Sequence, residues 1–143
     1  MTSSAAMLGP CAMDIAVTRD VMERIEREAR AAHPRECCGI LLGTAQRIER
    51  IVPAANVHVS PETHFEIDPQ ALIDAHRAER NGGPMVVGYY HSHPDGEPHP
   101  SATDQAMASG DGRIWAILGK RGMMLWQDDP LRFHALSYEV VEV

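Results

Sequence analysis

Pro84-Met85-Val86-Val87-Gly88-Tyr89-Tyr90-His91-Ser92-His93-Pro94 is the stretch from which the rest of the chain can be read. Its first part is a short apolar run rich in β-branched and aromatic residues. It follows the turn signal Asn81-Gly82-Gly83 and is predicted to be a buried strand. Side chains on a strand alternate faces with period two. A strand carried through position 93 therefore puts His91 and His93 on one side. Pro94 has no N–H to give to a ladder and ends the pairing. Pro94 to Pro100 holds three prolines, one glycine and two acids, which makes it a loop. Ser101 is then placed as a helix N-cap, with Asp104 three residues on. The helix is expected from Ala102 to about Ser109, stopping near Gly110.

Two imidazoles, a carboxylate and a hydroxyl thus fall within one compact stretch. A catalytic zinc site needs three protein ligands and keeps a fourth position open. His91, His93 and Asp104 supply three, and Asp104, in the first helical turn, can face back toward the histidines. Ser-x-x-Asp ahead of a helix is also a capping box, which needs no metal. A lone His-x-His is most often surface or loop. It is the combination of same-face histidines, a proline break and a capped helix that points to a metal-dependent hydrolase.

This pattern (His, Ser, His, seven residues, Ser, two residues, Asp) resembles the JAMM motif of MPN-domain metalloproteases, and every motif position is matched. Upstream, Pro34-Arg35-Glu36-Cys37-Cys38-Gly39-Ile40-Leu41-Leu42-Gly43 is similar to the segment that carries the family's glutamate. The resemblance runs from about Asp14 to the C-terminus. It is to the bacterial branch, which includes CysO–cysteine peptidase-like proteins. It implies that His91, His93 and Asp104 hold Zn2+. It also implies that Glu36 is the general base and that Ser101 donates to the oxyanion. By spacing alone Glu36 is a charged loop residue at the surface; only the resemblance makes it the base. The implied substrate is a ubiquitin-like or sulfur-carrier protein with a Gly-Gly tail, cut by a peptidase or isopeptidase. The implied fold is α/β: a deaminase-like MPN sandwich with a mixed sheet.

Composition narrows the alternatives. A chain of 143 residues suits a single domain, expected over residues 14–143. Residues 1–13 are rich in small residues and are expected to be disordered, and Met13 is an alternative start. Thirteen basic and twenty acidic residues leave a net charge of −7, which disfavours a partner held by its phosphates, so no nucleic acid is expected. No apolar run approaches the length of a membrane span, and the N-terminus lacks the pattern of a signal peptide. Three cysteines, Cys11, Cys37 and Cys38, make no disulfide framework and fit a reducing, cytoplasmic setting. The oligomeric state is open, a homodimer included.

Elsewhere, Thr18 to Ala32 is expected to be a helix with Val21, Ile25 and Ala29 as its apolar stripe. Gly39–Gly43 and Arg47–Val52 form an expected hairpin. His64–Ile67 is expected as a strand. Asp68 caps a helix over Pro69–Arg80, its buried face drawn as Leu72, Ile73, Ala75 and His76. Ile114–Leu118, Met123–Trp126 and one or two strands in 131–143 complete a mixed sheet flanked by helices. His99 is a loop histidine, solvated or touching substrate.

Competing chemistries fit less well. A nucleobase deaminase wants a late Pro-Cys-x-x-Cys, and no cysteine follows Cys38. A metallo-β-lactamase-like site has Gly96 where it needs a histidine. Cys37 or Cys38 as nucleophile remains open, as does a non-catalytic scaffold of the same fold that only binds partner proteins.

Overall fold

The computed structural model describes residues 14–142. The expectation for residues 1–13 lies outside them. The elements in order are β1 (Ile15–Thr18), α1 (Arg19–Ala32), β2 (Cys38–Thr44), β3 (Arg47–Ala54), α2 (Pro69–Arg80), β4 (Met85–Ser92), α3 (Ala102–Met107), β5 (Ile114–Gly119), β6 (Gly122–Asp128), β7 (Phe133–Leu136) and β8 (Tyr138–Val141).

The eight strands form one mixed sheet in the order β7-β6-β5-β4-β2-β3-β1-β8. Its edge strands, β7 and β8, are consecutive in sequence and separated by Ser137 alone. A flat sheet of that size is about 34 Å across at the usual strand spacing. Two residues of chain span at most about 7 Å. The sheet must therefore curl enough to bring the end of β7 and the start of β8 together at one corner. Ser137 marks that corner: its carbonyl accepts from Ile15 N at 3.0 Å.

α1 packs on one face of the sheet. Thr18 caps it by accepting from Val21 N, and Val21 and Ile25 are buried against Val17, Leu41, Ile48 and Tyr90. Burial of each such side chain stabilises the fold by about 1.5–3 kcal/mol. α2 covers the other face, with Ala71, Leu72 and Ala75 against Ile40, Leu42 and Val86. Gly39 is required where these layers cross, because a Cβ there would sit 2.4 Å from the Tyr90 ring. Tyr90 passes beneath it to donate to Glu28 Oε1 at 2.9 Å.

The mixed sheet and most element bounds agree with expectation. Four features differ. β1 joins the sheet by pairing with β3 and β8, both parallel. His64–Ile67 is not a strand: it pairs at one residue only, the bridge Asn56–Ile67, although Phe65 and Ile67 are buried. In α2, Ile73 is 47% exposed, so the buried stripe is rotated toward Ala71. His76 is half-buried and faces Glu79. α3 ends at Met107, two residues early.

Candidate metal centre

β4 delivers His91 at its C-terminal end, and the strand stops at Ser92, one residue short of His93. Both imidazoles nevertheless converge. His91 Nε2, His93 Nε2 and Asp104 Oδ2 lie 3.1 Å from one another along all three sides. Three ligand atoms on a tetrahedral zinc, with bonds of about 2.1 Å, are about 3.4 Å apart, so the triangle is close to the size that a metal of this kind needs.

Protonation decides what the triangle is for. His93 Nδ1 lies 2.8 Å from the Glu97 carbonyl, which can only accept. The proton of a neutral His93 therefore sits on Nδ1, and the Nε2 lone pair faces the cluster. Asp104 Oδ2 also presents lone pairs there. Such acceptors repel at 3.1 Å unless a proton or a cation lies between them. Burial lowers the pKa of His91, overriding the opposing pull of Asp104, so the ring favours the neutral form that a metal ligand requires. Its Nδ1 has no partner. That orphan costs on the order of 1–3 kcal/mol, which ligation at Nε2 can offset. The ring is clamped by Phe65, stacked at 4.2 Å, and by the edge of Trp115. These three residues can hold a metal ion.

The capping and ligand readings of Ser101 and Asp104 turn out to be one arrangement. Asp104 N donates to Ser101 Oγ at 3.0 Å, and Ser101 N donates to Asp104 Oδ2 at 2.9 Å. Oδ2 thus closes the capping box and faces both histidines. The Ser101 hydroxyl accepts the amide, and its own proton remains free to donate. Loop 94–100 is tied down between the ligands: Gly96 O accepts from Lys120 N and Pro98 O from Trp126 Nε1, both at 2.9 Å. Gly119 makes this possible, since a Cβ there would lie 2.5 Å from Pro98 N. His99 is exposed, its ring edge-on to Trp126.

The surface placement that spacing alone gives Glu36 is overturned. Glu36 is 6% exposed. β2 runs antiparallel to β4 with Cys38 opposite His91, and continuing that register sets Glu36 level with His93. Its Oε1 is buried without a hydrogen-bond partner. Burial pushes its pKa up to about 7, with His93 pulling down and Asp104 pushing up. A carboxyl poised near neutrality beside a metal-binding triad suits proton transfer. Cys37 and Cys38 are the opposite case. Burial pushes their thiols up to about 11 and about 12, which leaves little of the thiolate that a nucleophile needs near neutral pH.

Two residues to which the sequence gave no role hold the site. Ser92 Oγ accepts from Cys37 N at 2.9 Å, locking the Glu36 segment to β4. Asn56 gathers the loop around Glu36. Its Nδ2 donates to the carbonyls of Glu36 and His64 at 3.0 Å, and its Oδ1 accepts from His58 N and Glu66 N at 3.1 Å. For Ser92 the signal was its place between two ligands; a lone loop asparagine gives none.

A triad able to hold a metal at the end of a central strand, with a raised carboxyl alongside, is the kind of site that metal-dependent hydrolases use. Comparison with known proteins is more specific. The family model of prokaryotic homologs of the JAB domain matches residues 18–129. The chain is 33% identical over 144 residues to a desampylase of Haloferax volcanii, covering 97% of this chain and 100% of the relative. It is 30% identical over 130 residues to the CysO-cysteine peptidase of Mycobacterium tuberculosis, covering 90% and 84%. The solution structure of a Desulfitobacterium hafniense protein superposes with a TM-score of 0.79 at 28% identity, over 90% of this chain and 94% of the other. The chain belongs to the Prok-JAB family and is a metallopeptidase of the JAMM type.

Proposed function

We propose that this enzyme uses Zn2+ to hydrolyse the bond that follows the C-terminal Gly-Gly of a ubiquitin-like or sulfur-carrier protein, as a peptidase or isopeptidase. The carrying observation is the triangle of His91 Nε2, His93 Nε2 and Asp104 Oδ2 with 3.1 Å sides beside the unpartnered Glu36 carboxyl. Two nitrogens and one carboxylate oxygen are a donor set that suits zinc. When bound, zinc polarises the scissile carbonyl and makes water acidic enough to attack at neutral pH. Glu36 accepts the proton of the attacking water and returns it to the leaving amine. Ser101 donates its free hydroxyl proton to the oxyanion, a contribution of roughly 3 kcal/mol in comparable sites. Asp104 Oδ2 accepts from Ser101 N at 2.9 Å, a bond that favours the ionised carboxylate a metal ligand must be.

The substrate class is supported by the names of the relatives, a desampylase and a CysO-cysteine peptidase. Among the described residues no helix is long and apolar enough to cross a membrane. The buried free thiols suit the cytoplasm, and the net charge of −7 argues against a nucleic-acid partner. A pure scaffold would not need the full ligand set together with a buried, unpaired carboxyl.

The test is intact-mass analysis of a ubiquitin-like sulfur carrier extended past Gly-Gly by one or two residues, incubated with zinc-loaded enzyme or with His93→Ala. Trimming to Gly-Gly by the wild type alone supports the reading. Zinc binding without trimming overturns the substrate class, and failure to bind zinc overturns the chemistry.

A further inference from the structure

Against a net charge of −7, one face beside the metal centre is basic. A groove of about 680 Å³ runs from His93 between α1 and the β5–β6 turn. Arg30, His33, Lys120 and Arg121 line it, with Glu26 as the single carboxylate of its wall. Asp95 stands outside the wall, 3.6 Å from His33. Among the described residues Arg30, Lys120 and Arg121 have no ion-pair partner, since the arginine pairs formed are those of Arg19, Arg47 and Arg113.

The tip is also fixed in place. Gly119 pairs with Gly122, leaving Lys120 and Arg121 as a two-residue hairpin turn. Leu118 O accepts from His93 N at 2.8 Å, and Lys120 N donates to Gly96 O at 2.9 Å. The two cations are thus mounted on the backbone that positions a metal ligand, at most about 7 Å (Lys120) and about 11 Å (Arg121) of chain beyond Leu118.

We propose that this groove binds the free α-carboxylate of the residue or short peptide released by hydrolysis, which makes linear C-terminal extensions of a carrier protein the preferred substrates; this rests on the peptidase reading above. A Gly-Gly tail brings no formal charge to the scissile bond. The leaving side of a one- or two-residue extension ends in a carboxylate within about 7 Å of it. That is the one anion such a substrate must present here, and it matches three unpaired cations next to His93. A conjugate joined through a lysine side chain has no terminal carboxylate at that position.

The experiment compares two carriers that end in Gly-Gly plus one residue, one with a free C-terminal carboxylate and one with a C-terminal carboxamide, both cleaved by zinc-loaded enzyme. A charge-assisted contact predicts kcat/KM about 10- to 100-fold higher for the acid, with the preference falling as salt is raised. In the double variant Lys120→Gln/Arg121→Gln the acid-to-amide ratio should fall to near one. The ratio is internal to each protein and does not depend on specific activity. A wild-type ratio near one overturns the carboxylate site while leaving the peptidase intact, and a ratio that survives the double variant overturns these residues as its basis. Cleavage of neither carrier by the zinc-loaded wild type overturns the Gly-Gly carrier as substrate class and the carboxylate site with it.

Discussion

Asn56→Ala isolates the loop that seats Glu36 from the metal ligands, none of which lies on that loop. Asn56 makes four hydrogen bonds of 3.0–3.1 Å, and a fifth to Pro61 O at 3.4 Å is too long to weigh heavily. The residue is half-buried, so water can reach some of the groups left behind. The lower part of the usual range, about 0.5–1 kcal/mol per bond, then applies, for a loss of about 2–4 kcal/mol. In a domain of this size that lowers Tm by roughly 10 °C. Glu36 N still donates to Pro61 O at 2.7 Å, but the loop bearing Pro61 is freed from its anchor. A displacement of about 1 Å at a reacting group costs on the order of 100-fold in rate. The assay is kcat at saturating zinc, together with zinc stoichiometry and a thermal melt. The expected result is full zinc, a lower Tm and about 100-fold slower turnover. Asn56→Asp sharpens the test. It has the same shape but would set a carboxylate oxygen against the Glu36 and His64 carbonyls, so it should rescue nothing. Near-normal kcat in Asn56→Asp would refute the donor role.

Glu36→Gln should keep zinc and lose turnover by about 100- to 10,000-fold; near-normal activity would show that Glu36 is not the base. Iodoacetamide should leave Cys37 and Cys38 unmodified in the folded protein and spare activity, because burial raises both thiols, while a chelator abolishes it; alkylation at either position, read by peptide mass mapping, contradicts this. For pH, Glu36 in the metal-free protein has its pKa raised by burial to about 7, above its unfolded value. Its contribution therefore favours the folded state at low pH and is lost as pH rises through about 7. Metal-free wild type should lose more Tm than metal-free Glu36→Gln between about pH 5 and pH 8. Parallel curves would mean that Glu36 is not strained by burial.

The sequence made legible what local periodicity encodes. α1, α2 and the β2–β3 hairpin follow from apolar spacing, caps and turns, and His91, His93 and Asp104 from a contiguous motif. What it hid depends on distant partners. β1 has four residues, too few for a pattern, and exists because β3 and β8 flank it. Phe65 and Ile67 alternate like a strand, yet they point inward without a ladder. In Phe65 the inward turn serves the metal centre, where the ring stacks on His91. Glu36 looked exposed because a glutamate before a strand usually is; the β2–β4 register and the Asn56 loop bury it, and neither can be inferred from the residues around position 36.

The curled sheet has a consequence for biosynthesis. β1, near the start of the described chain, pairs in parallel with β8, near its end, and Arg19 bonds Glu142 across 123 positions of sequence. At ribosomal rates of about 5–20 residues per second, β1 waits roughly 6–25 s for that partner. During that time β1 lacks its β8 neighbour and remains a sheet edge. A nascent chain holding β1 to β7 carries an open strand edge, the kind of surface that chaperones and aggregation compete for. Of the described strands, the last to be synthesised is the one that pairs with the first.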